Sequence, residues 1–182
     1  MARVSLIEEH NHPELSELIG RIRGARRGRL INVYKLLLHS PALAETWFAH
    51  NNAVRWKTEL DGRLREMVIV RIGHLTRVPY IVRQHVPNLA IPEGLTLPEC
   101  EALKDWQDCT FFDERERAVL SYADSMTRDV EVPDDLFARV KSFFNERQIV
   151  DLTILIGTYN MHARVVRALA IDPEIPPAIQ PG

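Results

Sequence analysis

Cysteine is scarce in this chain: two residues in 182, Cys100 and Cys109. Nine positions apart, they fit neither a redox pair nor a zinc-ligand spacing. Two free structural thiols in a reducing compartment are expected. Long hydrophobic runs are missing as well. No stretch approaches the ~20 apolar residues that cross a bilayer. The first residues, MARVSLIEEHNHPE, carry acids where a signal peptide needs an apolar run. A cytoplasmic location and no membrane partner are the expectation. Charge of one sign is lacking too. The formal net charge is -2, which gives no general pull toward nucleic acid or anionic lipid. One local basic run, Arg21 to Arg29, is the exception. No aromatic residue interleaves with it, so it reads as a solvated helix end and loop rather than a nucleic-acid groove, with an anion or subunit contact as the alternative. There is no glycine-rich phosphate loop and no lysine in a recognisable Schiff-base context, so no cofactor is expected. His10 and His12 form a His-x-His pair without a third ligand, and no metal site is expected.

What is present is helical. Apolar residues make up 46% of the chain, enough for the core of one domain. Pro13 sits at a first turn, with Leu15, Leu18, Ile19 and Ile22 following at helical spacing. Val33, Leu36 and Leu37 mark a second short helix, closed by Ser40-Pro41, and Pro41 opens a third. Asp61 is placed as the N-cap of a helix over residues 62–76, and Pro79 starts another over 80–90. Pro92-Glu93-Gly94 reads as a turn, Thr96 to Glu99 as a capping box, and Asp113 as a further cap. Pro133 and Asn145 open two more helices. Val68-Ile69-Val70 and Thr153 to Ile156 are rich in β-branched residues, but both lie inside segments long enough to favour helix. The fold predicted is all-α. Residues 1–171 read as one domain, with 1–30 as an N-terminal arm and helix. Residues 172–182, with Pro173, Pro176, Pro177 and Pro181, read as an extended proline-rich tail.

The most informative window runs from Arg65 to His85. Together with Phe111 to Asp129 and Arg147 to Leu169, it resembles the carboxymuconolactone decarboxylase / AhpD family from about Asn32 to Ala170. The resemblance implies an all-helical, AhpD-like bundle that assembles as a trimer or hexamer. It also implies a register. In the family's peroxidase branch a glutamate is followed after twelve, fifteen and nineteen positions by cysteine, cysteine and histidine. Counted from Glu66, those positions hold Val78, Ile81 and His85. The glutamate and histidine are in place and both cysteines are absent. Peroxide reduction needs a thiolate and a resolving thiol, so a thiol peroxidase is disfavoured. Many members also carry Tyr-Glu-Trp where this chain has Tyr80-Ile81-Val82.

The decarboxylase branch needs no cysteine. Proton transfer at a carbon beside an electron sink wants a carboxylate and an imidazole facing one pocket. Helical spacing places Glu66 and Val70 on one face, and Val78, Ile81 and His85 on the next. The expectation is a pocket bordered by catalytic Glu66 and His85 and lined by Val70, Val78 and Ile81, with Gly73 allowing close helix approach. In such an apolar surround the Glu66 carboxyl is expected to be raised toward neutrality. His74, Tyr80 and His162 complete the substrate-binding candidates. Each has a plainer reading: a salt-bridged acid beside Arg63 or Arg65 for Glu66, a satisfied core histidine for His85, packing for Tyr80. Neither Glu66 nor His85 is expected to be needed for core packing. The function implied is a cofactor-independent lyase or isomerase acting on a small organic acid, lactone or cyclic carbonyl compound. The alternative is a non-catalytic member that binds a small apolar ligand or serves as an oligomeric partner.

Overall fold

A computed structural model describes residues 2–26 and 28–174. Among these, every regular element is helical and none is a strand. In chain order they are α1 (Ser16–Gly24), α2 (Asn32–Leu37), α3 (Pro41–Trp56), α4 (Gly62–Leu75), α5 (Pro79–His85), α6 (Leu97–Ala102), α7 (Glu114–Arg128), α8 (Asp134–Lys141) and α9 (Glu146–Ala168), with short 3-10 turns between some of them. Both β-branched runs are helical, in α4 and α9. Of the tail read as an extended arm, residues 175–182 lie outside the described residues.

The helix boundaries follow local chemistry. Asp61 caps α4 by accepting from the Leu64 amide at 2.7 Å. Thr96 with Glu99, and Asp113 with Glu116, form reciprocal capping boxes at α6 and α7. Asn145 accepts from the Gln148 amide at 2.8 Å to start α9. Arg63 joins two of these caps, donating to Glu99 at 2.6 Å and to Glu116 at 2.8 Å. Its hydrogen bond is the main reason the Glu99 carboxyl is held down to about 2. The helix begun by Pro79 gives way at His85 to a π turn over Val86–Ala90. Pro87 has no amide hydrogen to continue the α ladder, and the Ile91 amide bonds instead to the Val86 carbonyl at 3.2 Å.

The chain forms two compact units. One comprises the described residues up to 49 together with 169–174. In it the Arg3 amide meets the Leu169 carbonyl at 2.9 Å and Glu174 accepts from the Asn32 amide at 2.7 Å. The basic run is largely paired there: Arg21 with Glu45, Arg23 with Glu9, and Arg26 with the Tyr34 hydroxyl. Arg27 lies outside the described residues.

The other unit, His50–Ala168, is built around α4. Every residue from Leu64 to Gly73 is buried, with α5, α7, α9 and the π turn packed around the helix. Three of those buried residues are charged. Arg71 holds Asp124 of α7 in a two-pronged bond, Nε to Oδ1 at 2.6 Å and Nη2 to Oδ2 at 2.5 Å. Its Nη1 donates to the Leu103 and Lys104 carbonyls, both at 2.7 Å. The other two, Arg65 and Glu66, belong to the candidate site.

Candidate functional site

Glu66 and His85 converge. Where α5 crosses α4, a Cβ on Gly73 would lie 3.0 Å from Val82 Cγ2 and 3.1 Å from Ile81 Cγ2, so glycine permits the close approach. The approach brings His85 Nδ1 to 2.6 Å from Glu66 Oε2. On the other edge of the imidazole, the Tyr159 hydroxyl of α9 stands 3.4 Å from Nε2, with the two rings 5.3 Å apart and nearly perpendicular. Glu66 is fully buried and His85 is 8% exposed. Two arginines complete the surround. Arg65 Nε donates to Glu66 Oε1 at 3.3 Å while its Nη2 bonds Glu93 at 2.8 Å. Arg55 Nη2 stands 3.9 Å from Glu66 Oε1. The Trp56 ring packs against both guanidinium groups, at 4.5 Å from Arg55 and 4.9 Å from Arg65.

The electrostatics correct an expectation. Burial is the largest single influence on Glu66 and pushes its carboxyl up. The charge and hydrogen bond of His85, followed by the charges of Arg55 and Arg65, together outweigh it. The carboxyl is therefore lowered, not raised toward neutrality. The apolar residues Val70, Val78 and Ile81 do not decide the surround, because α3 and α4 bring in the cations Arg55 and Arg65. Glu66 is thus a standing carboxylate that accepts the Nδ1 proton of His85. That bond leaves Nε2 as the nitrogen able to take up or release a proton.

Residues 41–125 match the carboxymuconolactone decarboxylase family. Over that stretch, just under half of its length, the chain is similar to the family. Similar proteins include the uncharacterized protein YdfG of Bacillus subtilis, 26% identical over 62% of this chain and 78% of that one. The uncharacterized protein YnjA of Escherichia coli is 29% identical over 66% of each. Among solved structures, an AhpD-core peroxidase-related protein from Ralstonia eutropha superposes with a TM-score of 0.81 at 21% identity, over 95% of this chain and 92% of that one. The debrominase Bmp8, a cysteine-to-alanine variant in complex with 2,3,4-tribromopyrrole, superposes with a TM-score of 0.79 at 16% identity, over 96% and 94%. At these identities the superpositions speak for the fold alone.

In this chain the expected site residues separate into two places. Val70, Tyr80 and Ile81 are buried, at 0%, 6% and 3% exposure. The His162 ring lies against Tyr159, with centroids 5.0 Å apart and the rings tilted by 45°. His74 and Val78 instead line a surface groove of about 310 Å³ with Arg77, Val82, Arg83 and Lys104. A neighbouring groove of about 320 Å³ shares His74, Val82 and Arg83. Glu66 and His85 are not among the residues lining either groove. His74 sits eight residues beyond Glu66, about 12 Å along the helix axis. Its imidazole meets the Cys100 carbonyl at 3.1 Å, and burial lowers its pKa. Cys100 is an unpromising nucleophile. Cys100 is buried and its thiol is pushed up by that burial, and neither cysteine is in a disulfide.

Two neighbours of the Glu66–His85 pair escaped the sequence reading. Arg55 shares a helical stripe with the buried Ala44 and Asn51, and a charged residue at that spacing was the available signal. Tyr159 directly precedes Asn160 in the apolar α9 and gives no local cue. Both Glu66 and His85 are part of the core, contrary to the expectation that neither is needed for packing.

Proposed function

We propose that this protein is a cofactor-independent lyase or isomerase for a small organic acid, lactone or cyclic carbonyl compound. His85 is the proton carrier and Glu66 the carboxylate that fixes it. The supporting observation is the 2.6 Å contact of a standing carboxylate with Nδ1, which aims the basic Nε2 away from Glu66. In the isomerase form, Nε2 removes a proton from the carbon beside the substrate carbonyl. The C–H pair becomes an enolate, Glu66 balances the imidazolium, and the imidazolium, its proton exchanged with solvent, protonates another carbon of the conjugated system. In the lyase form, carbon dioxide departs and leaves its bonding pair as the enolate. The imidazolium then protonates that carbon and is recharged from solvent. Tyr159, on the same nitrogen, is placed to donate a hydrogen bond to the developing oxyanion.

Turnover of a panel of unsaturated lactone acids and cyclic keto acids, followed by loss of conjugated absorbance, tests this. His85→Gln should lower the rate of any substrate found by roughly 10²- to 10⁴-fold. Rates within twofold of wild type in both His85→Gln and Glu66→Gln would place the chemistry elsewhere. The same preparations should not sustain thiol-dependent hydroperoxide consumption, since Val78 and Ile81 stand where that chemistry needs cysteine. The second reading, a non-catalytic member, is favoured by the full burial of Glu66. On that reading the pair is a satisfied core network, and no member of the panel is turned over.

A further inference from the structure

Arg55 carries a hydrogen-bonding capacity that the fold does not use. It is 6% exposed, yet its Nε and Nη2 meet no acceptor among the described residues. Buried donors in folded proteins are almost always paired, and a guanidinium has no neutral state into which to retreat. The two nitrogens are not an arbitrary pair. Nε–H and Nη2–H point the same way and form the side-on fork of the guanidinium. Arg71, one helix away, shows what that fork is shaped for: the same two nitrogens hold both oxygens of Asp124, at 2.6 and 2.5 Å.

The carboxylate beside Arg55 does not serve that role. Glu66 Oε1 is 3.9 Å from Nη2, close enough for attraction and too far for a hydrogen bond. Its two oxygens are already engaged, Oε1 by Arg65 and Oε2 by His85. The Trp56 ring, 4.5 Å from the guanidinium carbon, braces Arg55. Arg55 is therefore held in place next to the Glu66–His85 pair with two parallel donors to spare.

We infer that the Arg55 fork anchors a carboxylate group of the substrate. This rests on the lyase or isomerase reading and narrows its substrate class to small carboxylic acids. A planar carboxylate supplies two acceptors at the spacing of the fork. The carbonyl of a neutral lactone or ketone supplies one oxygen and leaves one buried donor unmatched. Anchored there, the acid's carbon skeleton lies beside the imidazole that Glu66 orients.

The test is a titration of the full-length, nitrogen-15-labelled protein with formate, acetate and benzoate. Each acid is paired with its amide, and inorganic phosphate is a further arm. The Arg55 Nε–H resonance is followed in each. At least one acid should shift it saturably while the matching amide does not. Arg55→Lys, which keeps the charge and loses the fork, should weaken that acid's binding at least tenfold. No shift with any acid, equal binding of acid and amide, tighter binding of phosphate than of every acid, or unchanged affinity in Arg55→Lys each overturns the assignment. If Arg55→Lys fails to fold, the acid-against-amide contrast in the wild type still decides. Acid binding with no turnover of any acid would sink the lyase reading and leave the anchor standing. Turnover that needs His85 and ignores Arg55→Lys would do the reverse.

Discussion

At the scale of the residue, Glu66 is one carboxylate shared by His85, Arg65 and Arg55. Replacing it with glutamine keeps the shape and leaves two buried guanidinium groups short of a counter-charge. Removing one partner of a buried ion pair costs about 3–5 kcal/mol, and Glu66→Gln should lose stability on that scale at pH 7. The pH dependence has a definite sign. The folded carboxyl is lowered, so its contribution is complete above the ordinary glutamate value of about 4.3 and fades as pH falls through the lower folded value. Urea denaturation should therefore show the gap between wild type and Glu66→Gln constant near neutrality and narrowing below about pH 4. A gap that ignores pH would mean that the ionised form is not what stabilises. The pairing of Glu66 with His85 was legible through the family resemblance, whose register sets the two nineteen positions apart. Their surroundings were not. Arg55 arrives from α3 and Tyr159 from α9, and such contacts leave no trace in local periodicity.

At the scale of the element, the α4–α5 junction matters most, because it sets the angle at which His85 meets Glu66. Its backbone follows the Schellman pattern. The Val78 amide bonds the Gly73 carbonyl at 2.9 Å and the Arg77 amide bonds the His74 carbonyl at 3.1 Å. That pattern puts Arg77 at φ 53°, a left-handed position where glycine is usual. The conformation costs a side-chain-bearing residue roughly 1–2 kcal/mol, of which glycine gives back about 0.5–1 through its freer unfolded chain. Arg77→Gly should therefore raise stability by about 0.5–1 kcal/mol, read from the denaturation midpoint. A loss instead would show that the Arg77 side chain, which lines the groove beside Val78, makes contacts worth more than the strain. Helix starts were the most legible feature of the chain. Asp61, Thr96, Asp113 and Asn145 announce themselves by type and spacing, and each caps as read. The π turn at Val86 was not legible, since a proline inside an apolar stretch signals interruption without saying what replaces the ladder.

At the scale of the whole molecule, the described residues hold no helix long and apolar enough to span a membrane, and the fold is shared with the debrominase Bmp8. Self-association is the family expectation. On α9, Val150, Ile154 and Met161 are 58%, 47% and 39% exposed at spacings of four and seven, an apolar stripe of the kind that subunits cover. Sedimentation equilibrium at micromolar concentration should show a trimer or a multiple of it, with Ile154→Glu shifting the chain toward monomer. A wild-type monomer would contradict the expectation. All-helical architecture was readable from caps and apolar spacing, whereas the division into two compact units was not, because residues 169–174 join the N-terminal segment across the length of the chain. The central claim is that the Glu66–His85 pair moves a proton to or from carbon. Its most direct test is solvent deuterium exchange, read by proton NMR, on unsaturated lactone acids and keto acids incubated with the wild type and with His85→Gln. Deuterium should enter one carbon position of at least one compound, at a rate at least 10²-fold slower in His85→Gln. No incorporation in any compound, or incorporation at equal rates in the two proteins, would contradict it.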